Sequence, residues 1–194
     1  MPSRDDTDRV TPSTGAARVV AVAAGPRHEF SKPTRPVIRL LEGLGVEGDA
    51  HLGATDQHRS HVRRDPTAPN LRQVHLIQAD LLEDVLAEGH LVPPGGLGEN
   101  VTTAGVDLMA LPQDTLLLLG TTAEVRVTGL RNPCRQIDAF RPGLLRQVLG
   151  RDDDGVLVRR AGVMGVVRRG GEVCPGDPVT VVLPEPPHRP LRRV

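Results

Sequence analysis

The chain of 194 residues has almost no aromatic side chains, since it contains two phenylalanines and neither tryptophan nor tyrosine. Surfaces that bind single-stranded nucleic acid or read its bases depend on aromatic rings for stacking. Basic and acidic residues number 24 each, so the formal net charge is zero and no excess of positive charge attracts a polyanion or an anionic membrane surface. Binding to nucleic acid or to a membrane is therefore disfavoured.

Long apolar runs are also missing. No run approaches the roughly 18 consecutive apolar residues of a membrane span, and residues 1–14 carry three aspartates and no apolar stretch of the kind found in a signal peptide. We therefore expect a cytoplasmic protein. In that compartment the two cysteines, Cys134 and Cys174, are expected to stay reduced rather than form a disulfide.

Aliphatic residues, glycine and proline are abundant instead. Val, Leu, Ile and Phe together make 54 residues, well above the level of about 20% of a chain below which disorder is expected. The 21 glycines and 18 prolines are too many for a helical bundle. We expect one domain over residues 17–183, between a disordered N-terminal tail (1–16) and a poorly ordered, Pro/Arg-rich C-terminal tail (184–194).

Hydrophobic periodicity predicts short strands and two inserted helices. Apolar residues at helical spacing predict the first helix over residues 78–88, capped by Gly89, and the second covers 142–149, with Pro142 in its first turn. This pattern indicates an α+β, mainly-β domain that resembles a β-barrel. The predicted strands cover residues 17–24, 37–41, 73–77, 101–103, 115–119, 124–128, 156–160, 163–169 and 179–183, with a Gly-Gly turn between the last two.

Cys134 lies in the segment GLRNPCRQ, directly after a predicted strand. Asn132 suits a helix N-cap and Pro133 a first helical residue, so we expect Cys134 at the second position of a short helix. The helix dipole together with Arg131 and Arg135 would then favour the thiolate, which ligates soft metals or attacks electrophiles. The alternative is a small buried side chain beside a turn. Cys174 lacks adjacent basic residues and is interpreted as structural.

A second group of candidates is the segment GVEGDAH, residues 45–51, followed by a polar loop with His58 and His61. Asp49 and His51 alternate along an extended segment, so both point to one face. With the two later histidines they could form a metal site, but three histidines without a nearby cysteine are a poor zinc signature. Asp49 and His51 could also orient or deprotonate Cys134, or the loop could be solvated surface.

A third candidate is the glycine-rich segment GGLGENV, residues 95–101. Its glycines permit close approach of the backbone to a ligand, including a phosphate held by a nest of N–H groups. The segment matches neither a P-loop nor a dinucleotide fingerprint. Taken alone, it is better interpreted as a turn.

In this order, GVEGDAH, RQVHLIQADLLEDV, GGLGENVTTAGVDL and VTGLRNPCRQID resemble the MOSC family, named for the C-terminal domain of molybdenum cofactor sulfurase. The later segments AGVMGVV and GGEVCPGDPV are similar to the closing strands of stand-alone bacterial members. The resemblance covers roughly residues 17–183. It implies a β-barrel fold with a single motif cysteine, here Cys134, that either ligates molybdenum in the pterin cofactor (molybdopterin) or carries sulfur as a persulfide.

The resemblance also implies roles for other residues. Asp49 and His51 would be catalytic together with Cys134. The residues that would bind the cofactor are Glu99, Asn100, Arg131 and Arg135, the arginines meeting its phosphate or a substrate anion. Lys32 lies outside these motifs and is added to the cofactor-binding residues as an anion contact. An aspartate and a histidine can equally orient other ligands or stabilise a turn, and Glu99 can equally serve a structural hydrogen bond.

The chain departs from the full sulfurase, which has a large desulfurase domain that binds pyridoxal phosphate through a lysine. The only lysine here is Lys32, in a loop before a proline, so pyridoxal phosphate is not expected and an anion contact is the better interpretation. Two cysteines cannot hold a four-cysteine iron-sulfur cluster. Electrons or sulfur must therefore come from a separate redox partner or sulfur donor protein.

Two functions of different classes follow from the resemblance. In the first, the Cys134 thiolate ligates molybdenum and the protein reduces small N-hydroxylated compounds, such as hydroxylaminopurines or amidoximes. In the second, Cys134 takes a persulfide or holds the cofactor and delivers it to another enzyme without turnover.

Overall fold

The computed structural model describes residues 16–57, 65–151 and 154–194. In this part of the chain, strands dominate and the helices are short. The largest element is an eight-stranded sheet of order β13-β7-β8-β11-β5-β6-β1-β2. Its neighbours are antiparallel apart from the parallel pair β5 and β6. The strands are β1 (Arg18–Ala23), β2 (Thr34–Arg35), β5 (Val74–Gln78), β6 (Val101–Ala104), β7 (Leu116–Leu119), β8 (Ala123–Leu130), β11 (Val163–Arg169) and β13 (Val179–Val182).

The two ends of this sheet approach each other. The Val19 amide donates to the Asp177 carbonyl at 2.8 Å and the Gly176 amide to the Val19 carbonyl at 2.8 Å, while Arg18 and Pro178 form an isolated antiparallel bridge. These bonds join β1 to the turn before β13 without a continuous ladder. The expected mainly-β, α+β fold is confirmed, although the sheet is not closed into a complete barrel.

Two smaller sheets complete the strand structure. One has the order β12-β3-β4 and the other pairs β10 with β9. The predicted Gly-Gly hairpin between 163–169 and 179–183 is wrong. Both edges of β11 are paired with β5 and β8, β12 directly after the two glycines pairs with β3, and β13 pairs with β7. The strands are β3 (Ile38–Leu41), β4 (Gly45–Val46), β9 (Leu149–Arg151), β10 (Leu157–Arg159) and β12 (Gly171–Val173).

The helices are α1 (Ala79–Ala87), α2 (Gln136–Phe140) and α3 (Leu145–Val148). Helix α1 confirms the first predicted helix, and Gly89 follows it at φ 85°, a left-handed conformation that favours glycine. The second predicted helix is wrong in its first half because Gly143 has φ 85°. Residues there cannot continue a right-handed helix, and only α3 forms.

Aliphatic side chains form two cores. The larger lies inside the main sheet, with Leu76, Leu117, Val125 and Val163 fully buried. The smaller packs α1 against the segment that carries α2 and α3. It includes Leu81, Val85, Leu97, Ile137, Leu144 and Val148. This second core packs the chain that follows Cys134 against helix α1.

The C-terminal residues pack against the molecule, contrary to the expectation of a poorly ordered tail. The Leu130 amide donates to the Arg192 carbonyl at 2.8 Å and the Val194 amide to the Leu130 carbonyl at 3.2 Å. Arg189 Nη2 lies 2.6 Å from Asp114 Oδ2. These polar contacts hold the C-terminal residues in place although their sequence has no apolar periodicity. No helix among the described residues is long and apolar enough to cross a membrane.

Candidate functional site

A cavity of about 530 Å³ opens beside the second core. Loops 25–33, 95–100 and 131–136 supply most of its wall, together with the ends of β5 and β11. Six of the eight predicted site residues line it, namely Lys32, His51, Asn100, Arg131, Cys134 and Arg135. The other two, Asp49 and Glu99, are buried behind the wall at 7% and 0% exposure.

Cys134 lies at the cavity wall as a half-buried free thiol. Its Sγ donates to Gln136 Oε1 at 3.4 Å. The expected helix at Asn132 is wrong: helix α2 begins at Gln136 with Arg135 as its N-cap. Cys134 therefore precedes a five-residue helix, and its electrostatic environment depends on the neighbouring cations rather than on a long helix dipole.

Arg131 is held in the cavity wall by its backbone and by contact with an aromatic ring. Its backbone amide donates to the Gly162 carbonyl at 2.9 Å, and its Nη1 is buried without a hydrogen-bond partner among the described residues. Its guanidinium carbon lies 5.9 Å from the centre of the Phe30 ring. Burial lowers the pKa of Arg131, opposed by the charges of Cys134 and Glu99. A buried N–H donor without a partner is costly, so an acceptor in the cavity would stabilise it.

Asp49 is the centre of a hydrogen-bond network. Its Oδ2 accepts from Lys32 Nζ at 2.8 Å, from Asn100 Nδ2 at 3.1 Å and from the Gly25 amide at 3.3 Å. Its Oδ1 accepts from the His51 amide at 3.0 Å and lies 3.1 Å from His51 Nδ1. Burial opposes ionisation, but these donors and the Lys32 charge hold the pKa of Asp49 well below its usual value.

Lys32 is itself buried, with 5% of its side chain exposed. Burial lowers the pKa of Lys32, and the Asp49 charge opposes that shift. Asn100 connects this pair to the sheet, because its Nδ2 also donates to the Ala23 carbonyl at 3.1 Å and its Oδ1 accepts from the His75 amide at 3.1 Å. The carboxylate thus fixes Lys32, His51 and Asn100, which all line the cavity.

The glycine-rich segment is a packed turn rather than a phosphate nest. The amides of Gly95 and Leu97 donate to the two carboxylate oxygens of Glu99, at 2.5 and 3.0 Å, and the amides of Gly96 and Gly98 to carbonyls of the same turn. Burial raises the pKa of Glu99, opposed by these backbone bonds. The N–H groups that would hold a phosphate are therefore occupied, which supports the turn interpretation of the sequence. That Glu99 binds a cofactor stays a prediction.

Residues 50–180 match the MOSC domain. The chain belongs to the MOSC domain family. Among solved structures, YuaD from Bacillus subtilis superposes with a TM-score of 0.71 at 22% identity, over 88% of this chain and 98% of that protein. YiiM from Geobacillus stearothermophilus gives a TM-score of 0.58 at 16% identity over 86% and 75% of the two chains. YiiM from Escherichia coli gives 0.58 at 17% over 89% and 73%. These likenesses show the fold. No functionally curated protein matches the chain.

Several residues of this MOSC cavity escaped the sequence analysis. His75, Arg72, Phe30 and Met164 line it as well. His75 Nε2 lies 2.8 Å from the Ala161 carbonyl, and burial, reinforced by the Arg131 charge, lowers the pKa of His75 well below its usual value. His75 and Arg72 lie in the motif segment RQVHLIQADLLEDV and could have been noticed there by residue type. Phe30 carried no motif signal other than being one of two aromatic residues.

The described part of this MOSC domain contains no group of three or more His, Cys, Asp or Glu side chains that could hold a metal ion. His58 and His61, invoked for the zinc hypothesis, lie outside the described residues. Cys174 is also a free thiol and lies away from the cavity lining. Its amide donates to Asp177 Oδ2 at 2.8 Å, which agrees with a structural turn.

Proposed function

We propose that this MOSC domain binds the molybdenum cofactor through Cys134 and reduces small N-hydroxylated compounds with electrons from a separate redox partner. One observation carries the proposal: a half-buried thiol lines the same cavity as an arginine whose buried donor has no partner among the described residues. A thiolate is a ligand for soft metals, and an arginine fork suits a phosphate or another oxyanion.

The donor set fits a metal that arrives with its own ligands. Since the described residues contain no cluster of three metal-ligating side chains, the protein would add one bond, from Cys134, to a metal already held by the cofactor. A cavity of about 530 Å³ lies within the usual range for small-molecule and cofactor sites. Arg131 and the exposed Arg135 would then bind the anionic groups.

When bound, the cofactor would supply two-electron redox chemistry at the metal. The chain itself binds and orients. Conversion of an N-hydroxyl group to N–H consumes two electrons and two protons and releases water. Asp49 contacts Nδ1 of His51 at 3.1 Å, which fixes the ring, and we assign His51 Nε2 to hold a proton for the cavity. Lys32 and Asn100 keep Asp49 in place.

The alternative function is a carrier, in which Cys134 accepts sulfur as a persulfide from a donor protein and passes it to another enzyme. The thiol is half-buried and its hydrogen-bond acceptor is the side-chain oxygen Oε1 of Gln136, which suits this role as well. Both functions need Cys134, so loss of activity on its replacement does not separate them.

Metal and mass analysis of the same preparation separates them. The protein is produced in a cell that makes the cofactor, and molybdenum is measured per protein by plasma mass spectrometry while the intact mass is recorded. The proposal predicts about one molybdenum per chain and two-electron reduction of an amidoxime or hydroxylaminopurine by the loaded protein. Metal-free protein with a persulfide mass on Cys134 would instead establish the carrier.

A further inference from the structure

The two phenylalanines of the chain lie in contact at the cavity rim. The rings of Phe30 and Phe140 have their centres 5.3 Å apart at an angle of 38°, within the range of favourable aromatic pairs. Phe30 belongs to loop 25–33 and lines the cavity, whereas Phe140 ends helix α2. In a chain without tryptophan or tyrosine, both rings have been placed beside the segment that carries Cys134.

Phe30 also contacts the other end of that segment. The guanidinium carbon of Arg131 lies 5.9 Å from the Phe30 ring centre, close enough for a cation–π interaction. The segment from Arg131 to Phe140 thus meets Phe30 before and after Cys134. Arg131 Nη1 has no hydrogen-bond partner among the described residues, so no hydrogen bond at this nitrogen holds the guanidinium, and the Phe30 ring is a direct contact that can orient it.

The backbone of Phe30 is fixed independently. A Cβ placed on Gly98 would lie 2.5 Å from the Phe30 carbonyl oxygen, so only glycine permits this approach. Next to Phe30, the Ser31 hydroxyl donates to the Gly96 carbonyl at 2.9 Å and the Lys32 amide to the Gly95 carbonyl at 2.9 Å. The glycine-rich turn therefore holds loop 25–33 in place, and the ring of Phe30 projects from a rigid support.

We propose that Phe30 is a positioning residue whose ring holds the Arg131 guanidinium at the cavity wall beside Cys134. Without the ring, the long arginine side chain loses its orienting contact and samples other rotamers, so its charge spends less time near the thiol. The consequence for cofactor binding rests on the proposed function, because Arg131 is the cation assigned there to an anionic group. The effect on local charge at Cys134 does not rest on it.

The test measures the charge beside Cys134 through its alkylation rates. Every variant carries Cys174→Ser and is produced in a cell that does not make the cofactor, so that only the unligated Cys134 thiol reacts. Iodoacetate is an anion and iodoacetamide is neutral, and both react with the thiolate. The rate constant for iodoacetate divided by that for iodoacetamide therefore rises with the local positive charge, independently of thiolate fraction and accessibility. We expect Phe30→Leu to lower this ratio about two- to fivefold. Arg131→Gln should lower it at least as much.

Two further variants separate positioning from general loosening. Phe30→Tyr keeps an aromatic face and should retain the ratio, and Phe140→Leu keeps the contact between Phe30 and Arg131 and should retain it too. The inference is overturned if Phe30→Leu leaves the ratio unchanged, if Arg131→Gln does, or if Phe30→Tyr or Phe140→Leu lowers it as much as Phe30→Leu. The reagents need no cofactor, so the expected ratios, together with no molybdenum in protein from a cell that makes the cofactor, would refute the proposed function alone.

Discussion

At the scale of single residues, Asp49 is a buried carboxylate with several hydrogen-bond donors around it. Its carboxylate accepts from Lys32, Asn100, His51 and the Gly25 amide although it is 7% exposed. A buried anion of this kind stabilises a fold only while its partners are present, and removing one member of a buried pair is strongly destabilising. The carboxylate thus determines the positions of three cavity-lining side chains at once.

We expect Asp49→Asn to lower the free energy of unfolding at neutral pH by about 3 kcal/mol. Because the pKa of Asp49 lies below its unfolded value of 3.8, this stabilisation is complete above about pH 5 and is lost as the pH falls through and below about 4. Urea unfolding of both proteins across that range measures it. The exposed pair of Asp84 with Arg160 supplies the control, and Asp84→Asn should cost less than about 1 kcal/mol. A difference at Asp49 that persists undiminished at the lowest pH would contradict the assignment.

Arg131 and Arg135 flank Cys134 in sequence but differ in burial, since Arg135 is exposed and Arg131 has a buried donor without a partner in the described part of the chain. If the cavity holds an anionic cofactor, Arg131→Gln should reduce the molybdenum retained after dialysis about tenfold, and Arg135→Gln less than about threefold. Metal analysis before and after dialysis measures both. Equal retention in the two variants would show that burial does not set the contribution of each arginine.

Residue types in motif segments were enough to predict five of the cavity-lining side chains, among them Cys134 and Arg131, and Lys32 was predicted as the only lysine of the chain. They could not predict Phe30, because its partners Arg131 and Phe140 lie about 100 residues away in sequence and no local pattern records such a contact. Nor could they show that Glu99 binds the amides of its own turn. Partners across loops follow from the fold, which local periodicity does not determine.

At the scale of elements, the glycine-rich turn and loop 25–33 form one unit. Gly98 has φ 80° and approaches the Phe30 carbonyl, whereas Gly89 has φ 85° and open space around it. The two positions share the left-handed backbone conformation and differ in what an added Cβ would contact. This pair therefore separates the two reasons for a glycine.

We expect Gly89→Ala to cost about 1 kcal/mol from the left-handed conformation alone. Gly98→Ala should cost about 1–3 kcal/mol more, because a methyl group would displace the Phe30 carbonyl. Chemical denaturation of both variants gives the difference. Equal costs at the two positions would mean that the loops are not packed as closely as the structure shows.

Local elements were predictable where one face carries the pattern. The strand β5 and helix α1 follow from an apolar run and a helical spacing, with Gly89 as the stop signal. Pairing was not predictable: β12 leaves β11 for β3 because β11 has no free edge. The helix expected at 142–149 failed at Gly143, whose left-handed conformation is set by tertiary packing rather than by the propensities of its neighbours.

At the scale of the whole molecule, the C-terminal residues act as a strap across β8. A Cβ on Gly129 would lie 2.3 Å from the Arg192 carbonyl oxygen, so glycine permits the strap to lie against the strand. Leu130, bonded to this strap, directly precedes Arg131. The strap thus supports the base of the segment that carries Cys134.

We expect Gly129→Ala to lower the free energy of unfolding by about 1–3 kcal/mol, measured by thermal and urea unfolding. Gly150→Ala, where no described atom beyond the two neighbouring residues lies within 4 Å of the added methyl, should change it by no more than about 0.5 kcal/mol. Removal of residues 189–194 should make Gly129→Ala nearly neutral, because the two changes act on one contact. A full cost of Gly129→Ala in the truncated chain would show that the strap is not the reason for this glycine.

The neutral net charge of the chain hides an uneven distribution. Lys32, Arg72, Arg131 and Arg135 all line one cavity, and the acidic residues that balance Lys32 and Arg131, Asp49 and Glu99, lie buried behind its wall. Composition indicated a mainly-β domain with little affinity for polyanions. It could not show that these cations line one cavity together with Cys134, because charge counts contain no positions.

Molybdenum analysis tests directly whether Cys134 ligates molybdenum in this cavity. Three proteins are purified from a cell that makes the cofactor, namely the unaltered chain, Cys134→Ser and Cys174→Ser. Both cysteines are free thiols, and only Cys134 lines the cavity. We expect about one molybdenum per chain in the unaltered protein and in Cys174→Ser, and more than tenfold less molybdenum per chain in Cys134→Ser. Equal molybdenum in Cys134→Ser, or none in the unaltered protein, would contradict it.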